Sequence, residues 1–435
     1  MALLFYTQLG ITQTPSEKIY QIAYSNQQAF VKLCQLKKLK SQYLKNPDFW
    51  DVLMNQAALC GDWPTYQECT LNLQKLEQTT FIDNFTPNPW LKPTPILDAI
   101  DSIANHHQVI FINELHEVPQ HALLLGKLLK SLYKKGFRYL LMEEINPKDT
   151  ALNNRKYPTQ QSGYGNIKQA TFGSSVRKAL KLGYQVKGYD IQRGIALDSS
   201  FKDYGMSFKG KKWMVFNQIR EWNQAVNIYK QAFKKDPKAK VIVYGGMQHV
   251  FKAPIPWDGI QYWPMGALFV KLTNITPFVI NQRDYHISRQ KGYASFYAKA
   301  TQDLKEPFAI CFRDQQTGKF IRANTLKDTT LYNQWCDMNI FHATPTFKKG
   351  KPVWQFSSQK QLYQIKRSQL PVSLRGNFMI QAFYKNEPTK AGIPIDQVVA
   401  SSSQEIPPLL LPKNAQFKFV VMDSKGKQYD LEINK

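Results

Sequence analysis

The chain has 435 residues, and 57 Lys and Arg against 32 Asp and Glu give it a formal charge of +25. Two or three domains are expected at ~100–200 residues each, and a composition that is 43% hydrophobic and 13% aromatic supplies enough apolar side chain for a packed core, which excludes disorder for most of the chain. No stretch of 18 apolar residues occurs, the candidates being short runs such as Ala122–Leu125 and Leu409–Leu411, so a membrane-spanning helix, which needs roughly 20 apolar residues, is excluded.

The opening MALLFYTQLGITQTPSE has no basic stretch and too short an apolar run for a signal peptide. The expected location is therefore the cytoplasm, or the periplasm or cell envelope if a leader has been removed. Residues 15 to 80 read as helices, because Ile19, Ile22 and Ala23, then Phe30, Leu33 and Leu36, then Leu53, Ala57 and Leu59 recur at helical spacing. Cys60 and Cys69 flank Gly61-Asp62-Trp63-Pro64, a turn between two helices, and are expected either as one disulfide across a helical hairpin or as two buried thiols. The five cysteines include no CxxC pair and no zinc spacing. Pro87, Pro89, Pro93 and Pro95 mark 85–95 as a linker.

From about 96 to 345 short apolar runs alternate with helical segments. Val109–Ile112 and Phe137–Met142 read as strands on either side of a helix over Gln120–Lys135, with Pro119 at its first turn and Gly136 just past its end. That βαβ unit makes the sheet parallel there. Tyr184–Tyr189, Lys240–Tyr244, Pro277–Ile280 and Phe308–Phe312 are further strands, and Lys212–Phe233 a long helix. Residues 148–172 are polar and aperiodic, the expectation for a surface excursion or lid. From about 350 the text is strand-rich, with a hairpin turn at Ser424–Lys427. The fold class expected is α/β, a mainly parallel sheet with flanking helices (96–345), with an N-terminal helical subdomain (1–84) and a small β-rich C-terminal domain (350–435).

In open parallel sheets ligands bind beyond the carboxyl ends of the strands. Those ends carry Asn113-Glu114-Leu115-His116, Glu143-Glu144, Asp190 and Gly245-Gly246-Met247-Gln248-His249. Taken singly each has a plain reading: Glu144 as a solvated acid, Asp190 as a cap, either histidine as a structural residue. Two histidines and three acids besides Glu144, namely Glu114, Glu143 and Asp190, arriving at one edge define a candidate site. His121, at the first turn of the following helix, can reach that edge, His106 and His107 precede the strand and face the other end, and His286 and His342 read as structural or surface residues.

The run VIFINELHEVPQHALLLGKLLKSLYKKGFRYLLMEE resembles the opening of the erythromycin esterase/ChaN-like/Tiki superfamily, in which a strand ending in a Gly-Glu-x-His-type motif precedes a helix and a strand ending in Glu. VKGYD, then Arg220-Glu221, then VIVYGGMQHV with Gly246-x-x-His249, then WCDMNIFHATP follow in the same order, so the resemblance covers roughly 96–345. Asn113 stands where the family usually has Gly; if that position needs a left-handed backbone, Asn is the least damaging replacement, and a degenerate site is one outcome.

The resemblance implies three chemistries. Erythromycin-esterase-like members hydrolyse an ester with a histidine base, Tiki-like members resemble metal-dependent peptidases, and ChaN-like members bind haem in iron uptake. A histidine oriented by a carboxylate can take a proton from water, a role open to His116 or His249 with Glu114, Glu143 or Asp190. The same His116, His249, Glu114 and Glu143 can instead ligate a divalent metal. Haem would need a Tyr or His ligand, and the absence of CxxCH excludes the covalent c-type. Arg220 suits an anionic intermediate or substrate carboxylate, against a plain ion pair with Glu221.

The leading expectation is a hydrolase acting on an ester or amide of a small molecule or peptide, with His116 as base or ligand. A bacterial envelope haem- or metal-binding protein without turnover is the alternative, and an inactive binding or scaffold protein the third. The charge points to an acidic partner such as nucleic acid, phospholipid or another polyanion. Because the lysines lie in scattered pairs with no nucleic-acid motif, a solvated basic surface is the reading taken, with a bulky or acidic ligand as a further expectation.

Overall fold

The computed structural model describes residues 15–76, 91–190, 198–283, 310–320, 334–343 and 345–433. Four helices come first: α1 (Pro15–Tyr24), α2 (Ala29–Leu39), α3 (Pro47–Cys60) and α4 (Trp63–Leu76). The side chain of Asn46 caps α3 by accepting from the Phe49 amide, Pro47 sits in its first turn, and Gly61 closes it at φ 66°. A Cβ on Gly61 would lie 2.3 Å from the carbonyl oxygen of Gln397, so glycine is required there both for the left-handed turn and for close approach. All five cysteines are buried free thiols, which corrects the disulfide alternative for Cys60 and Cys69.

The chain continues with β1 (Leu91–Pro95), α5 (Ile96–His106), β2 (Val109–Glu114), α6 (Pro119–Lys134), β3 (Phe137–Met142), α7 (Leu152–Arg155), α8 (Ala170–Leu182), β4 (Gln185–Gly188), α9 (Lys212–Ile228) and β5 (Lys240–Gly246). Then come the hairpin of β6 (Ile255–Trp257) and β7 (Ile260–Tyr262), α10 (Met265–Thr273), β8 (Phe278–Asn281), β9 (Ile310–Asp314) and β10 (Met338–Asn339). Six strands form one sheet in the order β10-β8-β2-β5-β3-β4, with every pairing parallel.

Alternation along the strands divides the apolar side chains between two layers. Ile110, Ile112, Leu140, Met142, Ile242 and Ile280 pack with α5, α6 and α8. Val109, Phe111, Leu141, Val241, Val243 and Val279 pack with α9 and α10. Both faces are therefore covered, and the carboxyl ends of the strands are left to present polar groups.

Two readings need correction here. The 85–95 stretch is not linker throughout, because Leu91–Pro95 forms β1, antiparallel to β9. Proline is tolerated in such a two-stranded ladder where its missing N–H faces away from the partner. Of the strand expected at 308–312, residues 308 and 309 lie outside the described residues, and 310–312 belong to that small sheet and not to the parallel one.

Residues 148–172 are pinned rather than loose. Arg155 binds Asp149 at 2.6 Å and the Ser162 hydroxyl at 2.9 Å, and the Gln160 amide donates to the Ala391 carbonyl at 2.7 Å. The segment reaches the strand ends, where the Tyr164 amide donates to the Glu144 carbonyl at 3.0 Å.

The rest of the chain is β11 (Phe347–Lys348), β12 (Lys351–Pro352), β13 (Lys360–Tyr363), β14 (Asn377–Tyr384), β15 (Asp396–Ser401), β16 (Leu409–Pro412), β17 (Phe417–Asp423) and β18 (Gln428–Leu431), all in antiparallel sheets. Trp354, Met379 and Met422 join the apolar cluster of α1–α4, so the first and last parts of the chain share a core. A buried ion pair, Arg177 Nη2 to Glu387 Oε2 at 2.5 Å, ties α8 to the strand-rich part.

Candidate functional site

The parallel register levels the strand ends. Glu114 of β2 lies opposite Gly246 of β5, and Met142 of β3 opposite both Tyr244 and Gly188. The residues that follow, Glu143, Glu144 and Asp190, emerge at the same edge. Arg220 and Glu221 of α9 and His249 beyond β5 join them.

Arg220 is the hub. Its Nε and Nη2 grip Asp190 at 3.0 and 2.7 Å, and Nη2 also donates to Glu143 Oε1 at 2.7 Å. Gln224, one turn along α9, donates to Asp190 at 2.8 Å. Glu143 Oε2 accepts from the Gly246 amide at 2.6 Å. Burial raises the Glu143 pKa, but His249, Arg220, His116 and that amide together outweigh it and hold the carboxyl well below the usual range.

Two histidine–carboxylate pairs stand beside this hub. His116 Nδ1 bonds Glu114 Oε1 at 2.9 Å, and lies 3.7 Å from Glu144 Oε1. His249 Nδ1 bonds Glu221 Oε1, and its Nε2 stands 3.8 Å from Glu143 Oε1. Glu221 is itself fixed by the Tyr262 hydroxyl at 2.9 Å and the Met265 amide at 2.7 Å. The imidazoles are the accessible members of the cluster: the His116 and His249 side chains are 31% and 22% exposed, against 3% and 1% for their carboxylate partners.

Burial lowers the His116 pKa, but the hydrogen bond to Glu114 and the charges of Glu144, Glu114 and Glu143 prevail and raise it to about 10. His249 is also raised: burial opposes, and Glu221 and Glu143 win. Glu144 is raised to about 7 by burial first, with His116 pulling down and Glu114 and Glu143 pushing up. The His116 ring is therefore imidazolium at neutral pH, His249 is shifted toward its protonated form, and Glu144 changes charge near neutrality.

Backbone geometry makes room for this arrangement. A Cβ on Gly246 would lie 2.9 Å from His116 Nε2 and 3.2 Å from Glu143 Oε2, so the ring of His116 rests on bare backbone. Met247 adopts φ 45°, a left-handed conformation rare for such a side chain, and its amide donates to the Glu114 carbonyl at 2.8 Å. That turn sends the chain back to place His249.

Asn113 does not have a left-handed backbone; it is an ordinary residue of β2. Its fully buried side chain donates to Asn281 Oδ1 and accepts from the Gln282 amide, both at 2.6 Å, and Asn281 in turn donates to Asn339 Oδ1 at 2.8 Å. An amide ladder thus crosses the ends of β2, β8 and β10.

All six residues singled out for chemistry, Glu114, His116, Glu143, Asp190, Arg220 and His249, meet at this edge. Glu144 and Glu221 join them: the first had read as a surface acid and the second as a partner of Arg220. Arg220 and Gln224, four apart on α9, carried a readable signal for a shared partner. His121 stands aside, its Nδ1 accepting from the Leu115 amide at 2.9 Å, and its ring lies 4.9 Å from that of His342. His342 is held down to about 3 by burial, and its Nε2 meets Gln282 Oε1 at 3.0 Å. His106 ends α5 and His107 precedes β2, at the opposite end of the sheet. His286 lies outside the described residues.

Among the described residues no group of three or more His, Cys, Asp or Glu side chains is arranged to hold a metal ion. The physical reason is that Arg220 already supplies the cation between Glu143 and Asp190, both oxygens of Glu143 are engaged, and His116 carries a proton on each nitrogen. The candidate set His116, His249, Glu114 and Glu143 therefore does not fit a divalent metal as it stands. For haem, the neighbouring phenols of Tyr189 and Tyr244 are pushed well above their ordinary value by burial first and by nearby carboxylates, so an axial ligand would have to come from a histidine after loss of its ring proton. Among the described residues no helix is long and apolar enough to cross a membrane.

No family model matches the chain, and no curated protein does. Solved structures similar to it include the type III effector HopBA1, at 16% identity over 45% of this chain and 87% of that one, with a TM-score of 0.27. ChaN of Campylobacter jejuni, a structure of cofacial heme binding, is 12% identical over 44% and 88% of the two chains, with a TM-score of 0.28. RRSP, a MARTX toxin effector domain from Vibrio vulnificus, is 10% identical over 58% and 45%, with a TM-score of 0.27. At such scores these likenesses carry no argument about this chain's chemistry.

Proposed function

We propose that the strand-end cluster is a metal-independent hydrolytic centre acting on an ester or amide carbonyl of a small molecule or peptide, housed in a core spanning 96–345 and flanked by helical (1–84) and β-rich (350–435) units. The observation that carries this reading is the pair of accessible imidazoles, each with Nδ1 locked to a buried carboxylate, set around Glu143 and Glu144.

The roles follow from charge. Glu144 takes a proton from water as the water oxygen attacks the carbonyl carbon. The His116 imidazolium stabilises the oxyanion that forms. His249 gives a proton to the departing oxygen or nitrogen as the carbon–heteroatom bond breaks, and the proton held by Glu144 restores His249 through solvent. Arg220 is a positioning residue that keeps Glu143 ionised and holds Glu143 and Asp190 in place.

A panel of chromogenic esters and anilides tests this, with and without a chelator. Turnover indifferent to the chelator and reduced by about 10²-fold or more in His116→Ala and in His249→Ala is expected. Turnover that the chelator abolishes, or that both variants retain, would refute it. Haem binding is the second reading, favoured by His249, whose Nδ1 is anchored by a carboxylate in the manner of ligating histidines. A Soret shift on haem titration that His249→Ala removes would establish it.

A further inference from the structure

Away from the strand-end cluster, a cavity of about 160 Å³ opens between α6, α8 and the strand-rich part of the chain. We propose that it binds a phosphate group bearing a hydroxyl, as in hydrogen phosphate or the monoanion of a phosphate monoester. Lys127 of α6, Lys178 of α8 and Lys360 of β13 line it, together with the hydroxyl-bearing Thr171 and Ser174 in the first turns of α8.

Asp396 is the acid on its wall, and it is already committed: Lys351 Nζ binds it at 2.5 Å and the Leu410 amide at 2.6 Å. Asp396 is thus the one acid among the residues that line the cavity, against three lysines. Crowding agrees, because Lys178 is lowered by burial and then by Lys127 and Lys130, and Lys360 is lowered by burial against the pull of Asp396. Three cations with hydroxyl donors in a concave site are the chemistry that recognises phosphate oxygens.

An independent observation comes from Gln355, which lines the same cavity. Its side chain is buried, at 8% exposure, and its Oε1 has no hydrogen-bond partner. An orphaned buried acceptor is costly to leave unmatched, and a ligand hydroxyl would satisfy it. Sulfate brings the same negative oxygens at neutral pH and no hydroxyl, so the site should tell the two anions apart.

Calorimetric titration of the full chain with inorganic phosphate and with sulfate, at constant ionic strength, tests the proposal. The expected result is phosphate binding at least about tenfold tighter than sulfate, weakened about tenfold or more by Lys178→Ala with Lys360→Ala, and unchanged by Lys238→Ala on a distant surface. In Gln355→Leu the preference for phosphate should disappear. Vesicles containing phosphatidic acid distinguish the sources: capture that free phosphate displaces assigns a lipid headgroup, and phosphate binding without capture assigns a soluble ligand. Equal affinity for the two anions, or phosphate binding that the double lysine variant retains, would overturn the proposal. Lys178→Ala alone covers the case in which the Lys360 change unfolds the chain.

Discussion

Replacing Arg220 by methionine removes the cation at the centre of the cluster while keeping an unbranched, helix-compatible side chain. The Arg220, Glu143 and Asp190 side chains are 13%, 8% and 10% exposed, so the charges left behind cannot be fully rescued by solvent. Breaking a buried ion pair by removing one partner costs ~3–5 kcal/mol. Glu143 keeps the Gly246 amide and Asp190 keeps Gln224, which places the loss at the lower end, about 3 kcal/mol.

The pH dependence follows from the direction of the Glu143 shift. A carboxyl held below its ordinary value of 4.5 contributes stability above that pH and loses it as pH falls through the folded value. The methionine variant lacks part of that contribution, so the gap to wild type should be full near pH 7 and narrow below about pH 4.5. Urea unfolding at about pH 7 and about pH 4 reads both numbers. A loss under about 1 kcal/mol at neutral pH, or a gap that widens with acid, would refute the reasoning.

Gly246→Ala forces the His116 ring off the backbone, and because that ring is partly exposed it can swing outward; turnover should fall by roughly 10²-fold with little change in melting temperature. Asn113→Gly installs the residue expected from the family motif and leaves the buried Gln282 amide without its side-chain acceptor, for a loss of ~1–3 kcal/mol in urea unfolding; a neutral effect would mean the amide ladder is inert. The raised His116 contributes stability that is complete below its ordinary 6.5 and is lost as pH rises toward about 10. Glu114→Gln should flatten that decline in unfolding curves between about pH 6.5 and 9.

The strand ends were readable because VIFI, LLM and VIVY are short apolar runs flanked by breaks, and both faces of the sheet bury them. Parallel pairing then brings whatever follows those runs to one edge, which is why six chemistry-bearing residues could be named from the sequence. What could not be read depends on partners distant in the chain. Glu144 is only 11% exposed because the amides of Tyr164 and Asn166 fold over it, and that turns a surface acid into one raised to about 7. The ladder through Asn113, Asn281 and Asn339 exists only in the strand order β10-β8-β2, which periodicity does not encode. The run at 308–312 has strand character, but only its pairing with β1 says which sheet it enters.

The assignment of Glu144 as the base is tested most directly by the pH dependence of ester or amide hydrolysis in chelator, for the wild type and Glu144→Gln. Chelator-insensitive turnover should rise with pH through about 7, where Glu144 loses its proton, and that rise should be absent from the glutamine variant. A rise that survives in Glu144→Gln, or hydrolysis that appears only when a divalent metal is added, would contradict it.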